Sequence, residues 1–289
     1  METFFSFLSR RIDDCSSLLC VGLDPHPSEL TSHSAEGAQE FCQRIISSTA
    51  PYAAAFKPNA AFFEALGAEG WTALRNVIAA VQVESNRLGS RIPVILDAKR
   101  GDIASTAAAY ARSAFELLGV DAITLSPFLG RDSIEPFLDY QEKGVFLLCK
   151  TSNPGAADVQ DMWVMPDRER QLPGSADSSS CEPLYVHIAR LARTWNARDN
   201  VGLVVGATQV DALQRVRQAA GDLWILSPGV GEQGGDLAAA LAAGLRKDGK
   251  GMLVHVSRGI SKAKDPAAAA ASLRDEMINI LYGMNKNRK

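Results

Sequence analysis

The sequence predicts an α/β fold: a (β/α)8 TIM barrel forming one domain over residues 1–289, with a leading N-terminal helix and a long loop after strand 5. Three observations predict it. Eight short apolar runs rich in Val, Ile and Leu each precede a helix-patterned segment, as parallel strands covered on both faces do. The units are evenly spaced over about the 250 residues such a barrel needs. Polar residues collect where the apolar runs end, which is where this fold places its chemistry. A doubly wound sheet is the alternative, and the count and even spacing favour the barrel.

Residues 1–17 read as the leading helix, with Phe4, Phe5, Phe7 and Leu8 on its apolar side. Residues 18–23 form the first strand, ending at Asp24-Pro25-His26-Pro27, and residues 35–50 a helix. The second strand, residues 53–56, ends at Lys57-Pro58-Asn59. Residues 60–88 read as two helices broken near Gly67 or Gly70. The third strand starts at Ile92 and ends in Asp97-Ala98-Lys99-Arg100-Gly101-Asp102, because an unpaired charge is costly to bury. A helix over residues 103–118 stops at Gly119. The fourth strand, residues 122–125, ends at Ser126-Pro127, and residues 132–142 form a helix. The fifth, residues 145–149, ends at Lys150-Thr151-Ser152-Asn153-Pro154.

Residues 155–182 are too long for an ordinary connection and read as a lid or a disordered insert, with residues 174–180 as a mobile stretch. A helix over residues 183–195 follows. Strands six to eight cover residues 201–205, 223–226 and 252–256, ending at Gly206-Ala207-Thr208, Ser227-Pro228-Gly229 and Ser257-Arg258-Gly259. Helices over residues 210–220, 237–245 and 266–282 complete the pattern.

Composition excludes several classes. The 289 residues are 46% hydrophobic and 22% charged, ample for a sizeable core. Net charge is -3, which predicts no nucleic-acid or membrane surface. The basic residues 285–289 read as a frayed end. Five cysteines without ligand or disulfide spacing read as buried thiols in a reducing cytosol. No apolar run reaches membrane-span length and residues 1–10 lack a signal core, so the expected location is cytoplasmic.

Closing the barrel would gather Asp24, Lys57, Asp97, Lys99, Ser126, Thr151, Gln233 and Arg258 at one mouth. Asp97 and Lys99, two apart, share a side on an extended backbone. Asp102 opens the next helix, where a carboxylate suits the N-terminus. Singly, each is a solvated loop residue or a cap; as a set, that reading is weak. Two positive and two negative groups (Lys57, Asp97, Lys99, Asp102) can stay ionised together in a half-buried site. The set suits proton transfer from a lysine to a carbanion, and it lacks the histidine or cysteine of nucleophilic and soft-metal sites. His255 reads as a core or barrel-lining residue and His26 as a loop residue. The glycine-rich turn 227–236 runs into a helix N-terminus, and Arg258 offers a planar fork, so the pair points to a phosphorylated substrate.

Leu96-Asp97-Ala98-Lys99-Arg100-Gly101-Asp102-Ile103 resembles the signature of orotidine 5′-phosphate decarboxylase. So do Gly22-Leu23-Asp24-Pro25, Phe56-Lys57-Pro58-Asn59, Leu125-Ser126-Pro127 and residues 227–236, with the strand order intact from residue 18 to 260. The chain length, Lys150-Thr151-Ser152-Asn153-Pro154 and the long insert resemble the longer-chain subgroup. The resemblance implies conversion of orotidine 5′-monophosphate to uridine 5′-monophosphate and CO2 without metal or organic cofactor. It implies that Lys99 protonates carbon 6, that Asp97 lies near the departing carboxylate, and that Lys57 and Asp24 hold the ribose hydroxyls. Asp102 and Thr106 would reach the neighbouring subunit's site in an obligate homodimer. Ser126 would hold the pyrimidine edge, and Gln233 and Arg258 the phosphate. Ser257 departs from the glycine expected before the arginine. The nearest rival, a metal-dependent sugar-phosphate enzyme of the same superfamily, resembles a pattern with an acidic metal ligand where this chain has Lys57. A catalytically dead nucleotide-binding barrel is a second rival.

Overall fold

The structure, a computed structural model, describes residues 2–165, 181–230 and 235–286. Eight parallel strands form the ring: β1 (Leu19–Leu23), β2 (Ala55–Pro58), β3 (Ile95–Arg100), β4 (Ala122–Leu125), β5 (Gly144–Lys150), β6 (Val201–Val205), β7 (Trp224–Pro228) and β8 (Met252–Val256). They pair in the order β2-β1-β8-β7-β6-β5-β4-β3. Parallel bridges from Phe56 to Val94 and from Asn59 to Asp97 join β2 to β3 and close the ring. The expected barrel is therefore the observed one.

The N-terminal end of the ring is plugged by the leading helix Phe4–Cys15, which Thr3 caps by accepting from the Ser6 N–H. Phe4 and Phe5 are buried, and Phe5 stacks on Trp224 at 5.8 Å. A Cβ on Gly144 would lie 2.3 Å from the Phe4 ring, so the first residue of β5 must be glycine for the plug to seat. Buried Arg11 donates to the Ala50 and Ala53 carbonyls and ties the plug to the approach to β2. With this end sealed, the mouth lies at the C-terminal ends of the strands.

The strands β2, β5 and β7 run further than the sequence predicts. β2 extends through Lys57 to Pro58, β5 through Lys150 and β7 to Pro228, while β3, read through its charged end, reaches Arg100. The charges carried by β2, β3 and β5 are neutralised within the fold. Lys57 and Lys99 both meet Asp97, Arg100 meets Glu64, and buried Lys150 meets Asp161 at 2.7 Å. A strand need not stop at a charge that the tertiary fold pairs.

Two helices are shorter than expected. The 132–142 segment forms a 3-10 turn, Arg131–Ser133, and a single α turn, Glu135–Leu138. Pro136 lacks an N–H and fits only a first turn, so the α segment cannot begin earlier. The 103–118 segment is α only over Ala104–Arg112 and then widens to a π turn, Ser113–Leu117. After β5 the chain is ordered through a short helix, Ala157–Gln160, into a two-stranded ribbon pairing Trp163–Val164 with Glu182–Pro183. The expected mobile stretch 174–180 lies outside the described residues. Four cysteines are buried free thiols and Cys181 is an exposed one. Among the described residues no helix is long and apolar enough to cross a membrane.

Candidate active site

Asp97 is the centre of the site. Its Oδ2 accepts from the Lys57 Nζ of β2 at 2.5 Å, and its Oδ1 accepts from the Lys99 Nζ and, at 3.2 Å, from the Thr124 hydroxyl of β4. Burial alone would raise the Asp97 pKa, but the two ammonium groups and their hydrogen bonds outweigh it and hold the carboxyl well below its usual range. Burial likewise opposes the charge on Lys57, yet Asp97 and Asp24 overcome it and raise its pKa. The Lys57 side chain is 5% exposed and the Lys99 side chain 50%, so one ammonium is sealed in and the other faces the mouth.

Lys99 meets Asp97 by a different geometry from the extended strand read in the sequence. Its φ is +48°, and the β3–β4 register shifts between Leu96 and Arg100. A non-glycine residue in this region costs of order 1 kcal/mol and is held by its surroundings. Here the Thr124 hydroxyl accepts from the Ala98 and Lys99 N–H groups at 3.1 and 3.0 Å.

Asp24, at the end of β1, interacts electrostatically with Lys57. Burial opposes its ionisation, but Lys57 and hydrogen bonds from Ser257 and Asn59 lower its pKa overall. These groups crowd against β1. A Cβ on Gly22 would lie 2.6 Å from the Ser257 Cβ and 2.7 Å from both Asp24 Oδ2 and His255 Nε2. His255 is pushed down to about 3, by burial first and by Lys57 second, and stays neutral. Its buried Nε2 has no hydrogen-bond partner among the described residues. A cavity of about 310 Å³ opens here, lined by Asp24, His26, Asn59, His255, Ser257 and Arg258 among others.

The remaining expected residues are placed as follows. Arg258 lies on the cavity wall at the start of a short helix, Arg258–Ser261. Ser126 follows β4, its N–H on the Arg100 carbonyl and its side chain against Gly101; it does not line the cavity. Thr106 is exposed. Asp102 is not brought to Asp97 within this chain. Its carboxylate accepts from the neighbouring Ile103 N–H at 2.8 Å, and Ile103 takes the cap position of the following helix. Gln233 lies outside the described residues, although Gly229 and Gly235, bonded N–H to carbonyl at 3.2 Å, pin the ends of its loop. The helix after that loop, Leu237–Gly244, is capped by Asp236, whose carboxylate already satisfies the Ala239 N–H. Among the described residues lining the cavity, Arg258 is a cation.

Sequence reasoning missed Asn59, Ser257 as a bonding partner of Asp24, His26 as a cavity residue, and Thr124. Thr124 had a legible signal: a hydroxyl in the middle of a buried four-residue strand must find partners. Among the described residues no group of three or more His, Cys, Asp or Glu is placed to hold a metal ion.

A sequence model of the Orotidine 5'-phosphate decarboxylase / HUMPS family matches residues 17–273. This chain belongs to that family. The orotidine 5'-phosphate decarboxylase of Roseiflexus castenholzii is 47% identical over 275 residues, covering 94% of this chain and 93% of that one. The structure of Leishmania donovani OMP decarboxylase is similar with a TM-score of 0.83 at 49% identity, covering 97% of this chain and 99% of its own. Leishmania donovani UMP synthase is similar with a TM-score of 0.85 at 51% identity; the match covers 98% of this chain and 57% of that one. The carboxy-lyase class expected from the sequence is the class to which these relatives point, and the barrel carrying Asp97 and its two lysines is the family fold.

Proposed function

We propose that the chain converts orotidine 5′-monophosphate to uridine 5′-monophosphate and CO2, the last step of de novo uridylate synthesis, without a metal. The observation that carries this reading is one carboxylate, Asp97, shared between a sealed lysine and a lysine facing the mouth. The bond from carbon 6 to the carboxylate breaks, CO2 leaves, and the electron pair stays on carbon 6. The Lys99 ammonium gives that carbon a proton and recovers one from solvent. Lys57 and Asp24 hold the ribose hydroxyls, Ser126 the pyrimidine edge, and Arg258 with Gln233 the phosphate.

Magnitudes decide between two accounts of the rate. Like charges 4 Å apart repel by about 4 kcal/mol at an effective dielectric near 20. Enzymes commonly lower barriers by roughly 8 to 23 kcal/mol. Repulsion between Asp97 and the substrate carboxylate therefore falls short. Stabilisation of the developing carbanion by an ammonium already aimed at it supplies the larger share, and phosphate binding holds the pyrimidine in place.

Asp102 and Thr106, away from Asp97 within this chain, act across a homodimer interface in this reading. Mixing inactive Lys99→Ala and Asp102→Ala variants then restores up to about a quarter of wild-type activity, because half of the sites in a hybrid dimer are intact. The primary experiment follows ultraviolet absorbance of orotidine 5′-monophosphate with purified protein in chelator. Loss of the orotate chromophore by the wild type, and not by a folded Lys99→Ala variant, supports the reading. No change with the wild type refutes it. Turnover of sugar phosphates on adding Mg²⁺, in its place, identifies the metal-dependent rival.

A further inference from the structure

We propose that Thr124 is a positioning residue that sets the aim of the Lys99 ammonium. A hydroxyl has one proton to donate and two lone pairs to accept with. All three are used in one place. Thr124 donates to Asp97 Oδ1 at 3.2 Å and accepts from the Ala98 N–H at 3.1 Å and the Lys99 N–H at 3.0 Å. Thr124 is 2% exposed, so water does not compete for these bonds.

The backbone at Lys99 has φ +48°, a conformation that side-chain-bearing residues leave unless something holds them. It coincides with the register shift that breaks regular β3–β4 pairing between Leu96 and Arg100. At that break the ladder no longer receives the two N–H groups, and the Thr124 oxygen takes them. The same oxygen's proton fixes the Asp97 carboxylate against which Lys99 Nζ rests. One side chain thus couples the strained turn, the carboxylate and the ammonium. An apolar residue of the same shape would fill the space and remove every one of these bonds.

The inference rests on the decarboxylase reading with Lys99 as the proton donor. Thr124→Val removes the hydroxyl and keeps the shape; Thr124→Ser keeps the hydroxyl. Steady-state turnover of orotidine 5′-monophosphate and a thermal melt are recorded for both, beside the wild type and Lys99→Ala. The valine variant is expected to lose about 10²-fold in kcat, the scale of a misaimed reacting group, with KM within about threefold. The serine variant is expected to return most of that loss. Should Thr124→Val not fold, Thr124→Ala replaces it with the same expectation. A folded valine or alanine variant with wild-type kcat overturns the inference, as does a loss confined to KM. So does a serine variant as impaired as valine, which would make packing of the methyl group the cause. Full activity in Lys99→Ala refutes Lys99 as the proton donor, and no turnover by the wild type refutes the decarboxylase reading itself. An inactive Lys99→Ala beside a fully active Thr124→Val refutes only the role of Thr124.

Discussion

The two lysines on Asp97 are expected to fail in opposite ways when each is replaced by methionine. Lys57 is sealed, its side chain 5% exposed and its Nζ 2.5 Å from a carboxylate that is 12% exposed. Removing one partner of a buried pair costs about 3–5 kcal/mol, because the other charge is stranded. In Lys57→Met, Asp97 keeps Lys99 and Asp24 loses its principal cation, so about 4 kcal/mol is expected. For a chain of this length the unfolding entropy is roughly 0.6 kcal/mol per kelvin, so the melting midpoint falls by about 7 °C. The Lys99 side chain is 50% exposed, and its pair contributes no more than about 1 kcal/mol after solvent screening. Lys99→Met therefore melts within about 2 °C of the wild type while losing about 10²–10⁴-fold or more in turnover. The pH dependence follows from the signs. Asp97 is held below its unfolded pKa, so its pairing stabilises above that pKa and is lost as pH falls through the folded value. Without Lys57 the stranded carboxylates take up protons more readily. The deficit of Lys57→Met is therefore largest near pH 7 and shrinks toward pH 4. Adding Asp24→Asn to Lys57→Met recovers part of it, since the stranded charge is gone. Thermal and urea melts of the four proteins from pH 4 to 8 check this. A Lys57→Met variant melting with the wild type at neutral pH refutes the assignment of a sealed, structure-bearing pair.

Gly22→Ala places a methyl group 2.6–2.7 Å from Ser257, Asp24 and His255; it is expected to cost about 1–3 kcal/mol in stability and to weaken uridine 5′-monophosphate binding, read by calorimetric titration. His255 is pushed down to about 3, so between about pH 6.5 and 3 the unfolded chain binds a proton that the folded chain refuses. Stability should fall with acid by up to about 1.4 kcal/mol per pH unit from this group, and His255→Gln should flatten urea midpoints between pH 6 and 4.5; an unchanged slope refutes the buried neutral imidazole. Gly144→Ala is expected to unseat Phe4 and destabilise the barrel while leaving kcat of the surviving folded enzyme unchanged, because the plug lies at the end opposite the mouth.

The number of strands and the apolar plug were legible because burial on both faces writes itself locally, as short Val-, Ile- and Leu-rich runs and as a helix with four apolar residues on one side. The strand ends carrying Asp24, Lys57, Asp97, Lys99 and Arg258 were legible because this fold collects its chemistry at one rim. Local pattern could not say how far β2 and β5 run, since whether Lys57 and Lys150 can be buried depends on Asp97 and Asp161 arriving from elsewhere in the chain. Nor could it show that Lys99 meets Asp97 through a left-handed turn held by Thr124, because those bonds cross 25 to 27 residues. His255 reads as an ordinary barrel-lining residue until closure sets it beside Asp24 and Ser257. Sequence by itself thus determined the strands, their order and the chemical inventory of the rim, which depend on each segment's own periodicity and solubility. Tertiary structure alone decided which charges neutralise one another and which ammonium faces the mouth, because electrostatic energy depends on distance and burial, and both exist only once the ring is closed.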